Sequence, residues 1–236
     1  MISGVIVQRF QEAGNAAAED RAEVLGKYMQ ELLRYNEHVN LTSITDEEEF
    51  ILKHYVDSVM CMKMPEFKEA DTVIDVGTGG GFPGIPLAVL SPEKSFTLMD
   101  SLNKRVRIVD EIAKNLGIGN VNVIHNRAEI AGQDPEYREQ FDLCVSRAVA
   151  DLSVLSEYCL PLVRQGGSFV AYKGPDADRE ISNSGKAVSV LGGEIHRVEK
   201  VRTSGFEHSL IIIRKKKKTP KKYPRKAGTP SKMPVR

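Results

Sequence analysis

The sequence predicts an α/β fold: a mostly parallel, seven-stranded sheet that ends in an antiparallel hairpin and follows a helical N-terminal extension. Three observations carry this expectation. From Asp71 onward, short apolar runs alternate with amphipathic ones, the rhythm of strand–helix–strand units with right-handed crossovers. One of the strands, Val73-Ile74-Asp75-Val76, runs straight into a glycine-dense turn, Gly77-Thr78-Gly79-Gly80-Gly81. The last two extended runs, 194–201 and 208–213, are joined by Arg202-Thr203-Ser204-Gly205-Phe206-Glu207, too short for a crossover helix, so that pair is antiparallel.

The elements follow in order. The stretch before residue 19 is poorly patterned. Over 19–37, Leu25, Tyr28, Met29, Leu32, Leu33 and Asn36 recur on one helical face. Asn40-Leu41-Thr42 breaks that repeat. Thr45-Asp46-Glu47-Glu48 has the form of a capping box with Thr45 as N-cap, opening a helix that turns Phe50, Ile51, Tyr55 and Val59 inward. Pro65 closes the extension. Strands are expected at 72–76, 95–99, 121–124, 141–146 and 168–172, and helices near 84–90, 103–116, 151–163 and 176–190. The expected division is a helical extension over 1–65, a ligand-binding core over 66–213 and a basic tail over 214–236.

Composition narrows the class. The formal charge of +1 hides a polarised chain. Positions 214–236 hold 11 Lys or Arg and no acid, leaving 22 basic against 32 acidic residues before them, a net of −10. That tail is rich in proline and poor in apolar residues, which argues against a folded core there. It reads either as an electrostatic arm for a phosphate backbone or as a solubilising, solvated segment. Cys61, Cys144 and Cys159 form no metal-like pair and read as reduced, mostly buried thiols. No apolar run approaches the roughly 20 residues that cross a bilayer, and no basic leader precedes a long apolar stretch, so a cytoplasmic protein is expected.

The glycine turn and the acids around it describe a nucleotide site. Glycines let the backbone approach a ligand that side chains would block. Asp75 sits before them, at the carboxyl end of a strand, where a carboxylate is expected to face the crevice. Asp100 ends the next strand about 20 residues further on, the offset of an acid that reads ribose hydroxyls. Pro83 and Pro86 disfavour a dinucleotide, because a pyrophosphate wants free backbone N–H groups at a helix start and proline removes one. An adenosine-bearing ligand without phosphate loses nothing by this.

Several motifs in register make the pattern more specific. These are Asp75 to Ala88 with the glycine turn, Asp100-Ser101 with Lys104-Arg105, Arg127-Ala128-Glu129, and Ser146-Arg147-Ala148. To them are added Asn40-Leu41-Thr42, His54-Tyr55-Val56-Asp57-Ser58 and the tail run Pro220-Lys221-Lys222-Tyr223-Pro224-Arg225-Lys226. Together they resemble the glucose-inhibited division protein B family, guanine-N7 methyltransferases of bacterial small-subunit (16S) ribosomal RNA, over nearly the whole chain. The resemblance implies a class I, Rossmann-like S-adenosylmethionine-dependent methyltransferase fold. S-adenosylmethionine is then the cofactor and small-subunit ribosomal RNA, within a ribosomal particle, the partner, with no metal and no membrane.

It also implies roles. Asp75, Gly77, Gly79, Gly81 and Phe82 would line the methionine and ribose parts of the cofactor, Phe82 beside the methionine end. Asp100 would accept both ribose hydroxyls. Ser101, Leu102, Ala128 and Glu129 would border the adenine, although Glu129 equally suits a helix start, where an acid favours the positive dipole end. Arg147 would face the methyl donor and the incoming guanine, and is the one candidate for a catalytic role; the other reading is a surface residue on a strand end. RNA-binding candidates are Lys104, Arg105, Lys173, Lys215, Lys216, Lys217, Lys218, Lys221, Lys222, Arg225 and Lys226, with Lys104 and Arg105 otherwise a solvated helix start. His54 reads as a packing or capping histidine rather than a catalyst. The competing functions are the same fold acting on a small molecule or protein, and an adenosyl-binding ribosome-assembly factor without turnover.

Overall fold

The computed structural model describes residues 2–203 and 206–235. Helices α1 (Ile2–Glu12), α2 (Glu19–Asn36) and α3 (Glu47–Phe50) come first, followed by a π-helical stretch, Ile51–Val56, and the short helices α4 (Asp57–Val59) and α5 (Pro65–Lys68). Then β1 (Thr72–Val76), α6 (Gly84–Leu90), β2 (Ser95–Asp100), α7 (Asn103–Asn115), β3 (Val121–His125), α8 (Ala128–Ala131), β4 (Phe141–Arg147), α9 (Leu152–Cys159), β5 (Val163–Lys173) and α10 (Ala177–Val190) alternate. The antiparallel pair β6 (Gly193–Thr203) and β7 (Phe206–Lys215) and a last helical turn, α11 (Thr229–Lys232), complete the chain. The sheet order is β3-β2-β1-β4-β5-β7-β6, with every pair from β3 to β5 parallel and only the pairs involving β7 antiparallel. The expected class is therefore the observed one. Ser204 and Gly205, within the expected connecting loop, lie outside the described residues.

Strand alternation divides the core into two layers. Val73, Leu143, Val145, Val170 and Ile212 face a cluster that includes Phe10, Leu25, Tyr28, Phe50 and Tyr55 of the N-terminal helices and Ile85 and Val109 of α6 and α7. Ile74, Val76, Cys144, Phe169, Ile211 and Ile213 face the other, with Leu152, Leu155 and Cys159 of α9 and Val188 of α10. The N-terminal helices thus cover one face of the sheet.

Four local expectations change. The unpatterned start is a helix, because Ile6 and Phe10 lie one turn apart and both are fully buried. The cap of α3 is Asp46, not Thr45: Asp46 Oδ1 accepts from Glu49 N at 2.8 Å. Pro65 opens α5 instead of closing the extension, since a proline at the first helical position loses no hydrogen bond. The fifth strand begins at Val163, five residues before the expected start, with a register shift between Phe141 and Leu143 absorbing the extra length.

The tail is the largest correction. Its composition argued against a folded core, yet Tyr223 belongs to the second cluster and Lys215 is 1% exposed. The Lys215 ammonium donates to Leu160 O, to Val163 O at 3.2 Å and to Thr219 Oγ1 at 2.7 Å. Arg225 forms a two-pronged pair with the buried Glu157 on α9, at 2.6 and 2.9 Å. Composition misleads here because the partners of these cations are acids and carbonyls elsewhere in the chain.

Candidate functional site

The sheet reverses its order of growth between β1 and β4, so a crevice opens beyond the carboxyl ends of these strands. The glycine turn forms its floor. Gly77 N and Thr78 N donate to Met99 O at 2.8 and 3.1 Å, tying the turn to β2. At Gly77 (φ 76°) a Cβ would stand 2.4 Å from Val149, and at Gly81 (φ 92°) 2.5 Å from the Tyr28 hydroxyl, so no larger residue fits at either position. Gly79 differs, with open space in front of it.

Asp75 does not face the crevice as expected. It is fully buried, and its Oδ2 accepts from Thr78 Oγ1 (2.7 Å) and Gly84 N (2.9 Å), holding the two ends of the turn together. Burial pushes its carboxyl up to about 7, against those hydrogen bonds. Phe82 is likewise a packing residue. It is 5% exposed, stacked on His54 at 4.3 Å and set among Phe50, Tyr28 and Tyr55.

Asp100 stands where a ribose-reading acid belongs, at the end of β2. Oδ2 accepts from Gly79 N and Oδ1 from Leu102 N, both at 2.9 Å. A carboxylate has about four acceptor positions, so these two bonds orient it and leave two for a ligand. Ser101 and Leu102 are exposed beside it, and Ala128 begins α8 just beyond β3. Leu102, Ile130 and Val149, three of the exposed large apolar residues, follow β2, β3 and β4 at this same edge. Open space at Gly79, spare acceptors on Asp100 and apolar side chains at the rim fit an adenosine. Ile130 and Val149 carry no signal in the sequence beyond their positions just after strand ends. Glu129, next to Ala128, reaches toward the tail, where its Oε1 accepts from Gly228 N at 2.9 Å.

Arg147, at the end of β4, is held on three sides. Its Nη1 donates to Lys53 O (2.9 Å) and to Asp57 Oδ2 (2.5 Å), and its Nη2 lies 3.2 Å from His54 Nδ1. A guanidinium only donates, so Nδ1 accepts and His54 carries its proton on Nε2, which donates to Thr42 Oγ1 at 2.7 Å. Burial, helped by the Arg147 charge, pushes His54 down to about 3, so it stays neutral. Three of the five N–H groups of Arg147 are thereby engaged, and two remain for substrate. The π-helical stretch carries both Lys53 and His54 to this place, a use typical of such local widenings. Asp57 and His208 complete the cluster without having stood out in the sequence as site residues. Asp57 follows His54 at helical spacing, whereas nothing local marks His208.

His54 gives a pH test. Its folded-state value lies below the unfolded one, so its contribution is present above about 6.5 and is lost as pH falls toward 3. Asp75, raised in the fold, acts in the opposite sense between about 4 and 7. Only the difference between variants isolates either. Urea unfolding from mildly alkaline to acid pH should show a shallower acid decline in His54→Gln than in the wild type; parallel curves would refute this account of His54.

Among the RNA candidates, Lys104, Lys216, Lys217, Lys218, Lys221, Lys222 and Lys226 are exposed. Arg105 is half-buried and donates to Asn40 O. Lys173 is buried, bonded to Ala150 O and paired with Glu180 at 2.6 Å, and Lys215 and Arg225 are committed as described. These three are therefore not free cations. Lys216, Lys217 and Lys218 leave β7 at the amino-terminal edge of β5, the edge opposite the crevice. A cavity of about 830 Å³ lies between α1, the π-helical stretch and β6–β7, and shares no residue with the glycine turn.

The sheet order, its antiparallel finish and this crevice define a class I methyltransferase fold. Solved structures share it: an O-methyltransferase from Bacillus cereus in complex with SAH (TM-score 0.57, 16% identity, 90% of this chain and 99% of that one) and the O-methyltransferase TomG from Streptomyces achromogenes with SAM (TM-score 0.56, 15% identity, 83% and 90%). The family model for rRNA small subunit methyltransferase G matches residues 21–211. The chain is 50% identical over 228 residues to ribosomal RNA small subunit methyltransferase G of Alkaliphilus metalliredigens, covering 96% of this chain and 95% of that protein. It is 45% identical to the one from Clostridium tetani, covering 95% of each. The chain belongs to the rRNA small subunit methyltransferase G family.

Proposed function

We propose that this protein transfers a methyl group from S-adenosylmethionine to N7 of a guanine in small-subunit ribosomal RNA. The observation that carries the reading is the family match over residues 21–211, centred on a crevice where Asp100 and Arg147 end β2 and β4, the strands on either side of β1. S-adenosylmethionine, when bound, supplies an electrophilic methyl group on a sulfonium. The chain's residues align and enclose: Asp100 holds the ribose, Leu102 and Ile130 flank the adenine, and Arg147 faces the reacting end. N7 suits this site because it presents an in-plane lone pair and no proton to remove. His54, with one nitrogen accepting from Arg147 and the other donating to Thr42, is not placed as a general base. Catalysis is then alignment and exclusion of water.

Lys104, exposed at the start of α7 just past Asp100, and Lys226, exposed two residues before the Gly228 that bonds Glu129, are the cations we assign to RNA phosphate. N7 is accessible only where the deep groove of folded RNA is opened, which favours a loop in an assembled particle. Labelled methyl transfer to small subunits lacking the modification, compared with naked RNA and followed by borohydride and aniline cleavage, tests the reading. Label at one cleavable guanine supports it; label without cleavage refutes N7, and no label refutes the substrate. Separately, Asp100→Ala should weaken S-adenosylmethionine binding by about 1.5–3 kcal/mol, the worth of hydrogen bonds to a charged group. Calorimetry showing wild-type affinity would remove Asp100 from the ribose site.

A further inference from the structure

Behind Arg147 lies a buried cluster that alignment alone does not explain. Asp57, 6% exposed, stands between two cation-forming groups. Its Oδ2 is 2.5 Å from Arg147 Nη1, and its Oδ1 is 2.9 Å from Nε2 of His208 on β7. The His208 ring lies alongside Tyr172 (6.3 Å, 22°), whose hydroxyl donates to Ser58 O at 2.6 Å. The other charged or titratable groups near the cluster are Lys53 and His54 on the π-helical stretch, Cys61 beyond α4, Lys173 on β5 and Glu207 on β7. Lys53 is paired with Glu49 and Lys173 with Glu180. A cavity of about 290 Å³ opens over Asp57, Arg147, Tyr172 and His208.

A guanidinium placed beside a sulfonium meets a like charge, and in a partly dry crevice that repulsion is not small. A carboxylate in contact with the guanidinium cancels it. Burial alone would raise the Asp57 carboxyl, but the bonds and charges of His208 and Arg147 hold it below its ordinary value, so it remains an anion. The Asp57 carboxylate and the Arg147 guanidinium, 2.5 Å apart, together carry no net charge.

We propose that Asp57 is a positioning residue that neutralises Arg147 where it faces the sulfonium, and that this balance is what admits the charged donor. The inference rests on the reading that Arg147 stands beside the methyl donor. It predicts a difference between two ligands that share every group except the sulfonium: S-adenosylmethionine is repelled by a guanidinium that Asp57 no longer balances, and the thioether of S-adenosylhomocysteine is not.

Calorimetry on the full chain at low salt and one fixed pH, with both ligands on the wild type and on an Asp57 variant, tests this. In Asp57→Asn, which keeps the shape and loses the charge, affinity for S-adenosylmethionine should fall about fivefold relative to S-adenosylhomocysteine. A wild-type ratio in Asp57→Asn, confirmed folded by circular dichroism, would overturn the proposal. If instead the placement of Arg147 is wrong, Arg147→Ala will keep its turnover, whatever the ratio does.

Discussion

Arg147→Ala is expected to reduce methyl transfer by about 100-fold or more, the cost of losing alignment at the reacting end. It should also destabilise the fold, and the two effects need separating. Arg147 is the nearest cation to Asp57, and both side chains are largely buried, 14% and 9% exposed. Deleting one partner of such a pair leaves a charge in a dry place, typically costing about 3–5 kcal/mol. The double variant Arg147→Ala, Asp57→Ala removes both charges and should recover part of that stability without recovering transfer. Urea midpoints and single-turnover rates on the same preparations give both numbers. If the double variant transfers methyl at the wild-type rate, Arg147 has no part in the chemistry.

Removing residues 219–236 is expected to lower stability by several kcal/mol, although the segment has the composition of a free tail. The dominant loss is Arg225, whose guanidinium and backbone N–H bond the carboxylate of Glu157, a side chain 1% exposed. An uncompensated Glu157 alone should cost about 3–5 kcal/mol. Lys215 loses Thr219 Oγ1, Glu129 loses Gly228 N, and Tyr223 leaves the second hydrophobic cluster. These losses share neighbours and will not add. Arg225→Ala in the full chain should reproduce a large part of the shift in urea midpoint. A truncated chain with an unshifted midpoint would show that the tail contributes nothing to the fold.

The tail's behaviour explains why some features are legible in the chain and others are not. Strand and helix positions follow from short-range periodicity, which is why β1, α6 and α7 agree with expectation almost residue for residue. The antiparallel finish follows from loop length. Asp100 is legible because its distance from the glycines reflects one strand–helix–strand unit, a local matter. Asp75 is legible in position, but its burial and its bonds to Thr78 and Gly84 follow from the path of the turn.

Folding alone decided the rest. Asp57 and Arg147 are 90 positions apart, and His208 comes from a third segment, so no spacing rule joins them. They meet because the N-terminal helices cover the face of the sheet where β4 and β5 end and β7 begins. Composition misreads the tail for the same reason. Whether a lysine is solvated or buried depends on what lies opposite, and Leu160, Thr219 and Glu157 are set opposite Lys215 and Arg225 by the path of the chain around α9. Periodicity and spacing are properties of neighbours along the chain. Charge pairing and burial are properties of neighbours in space.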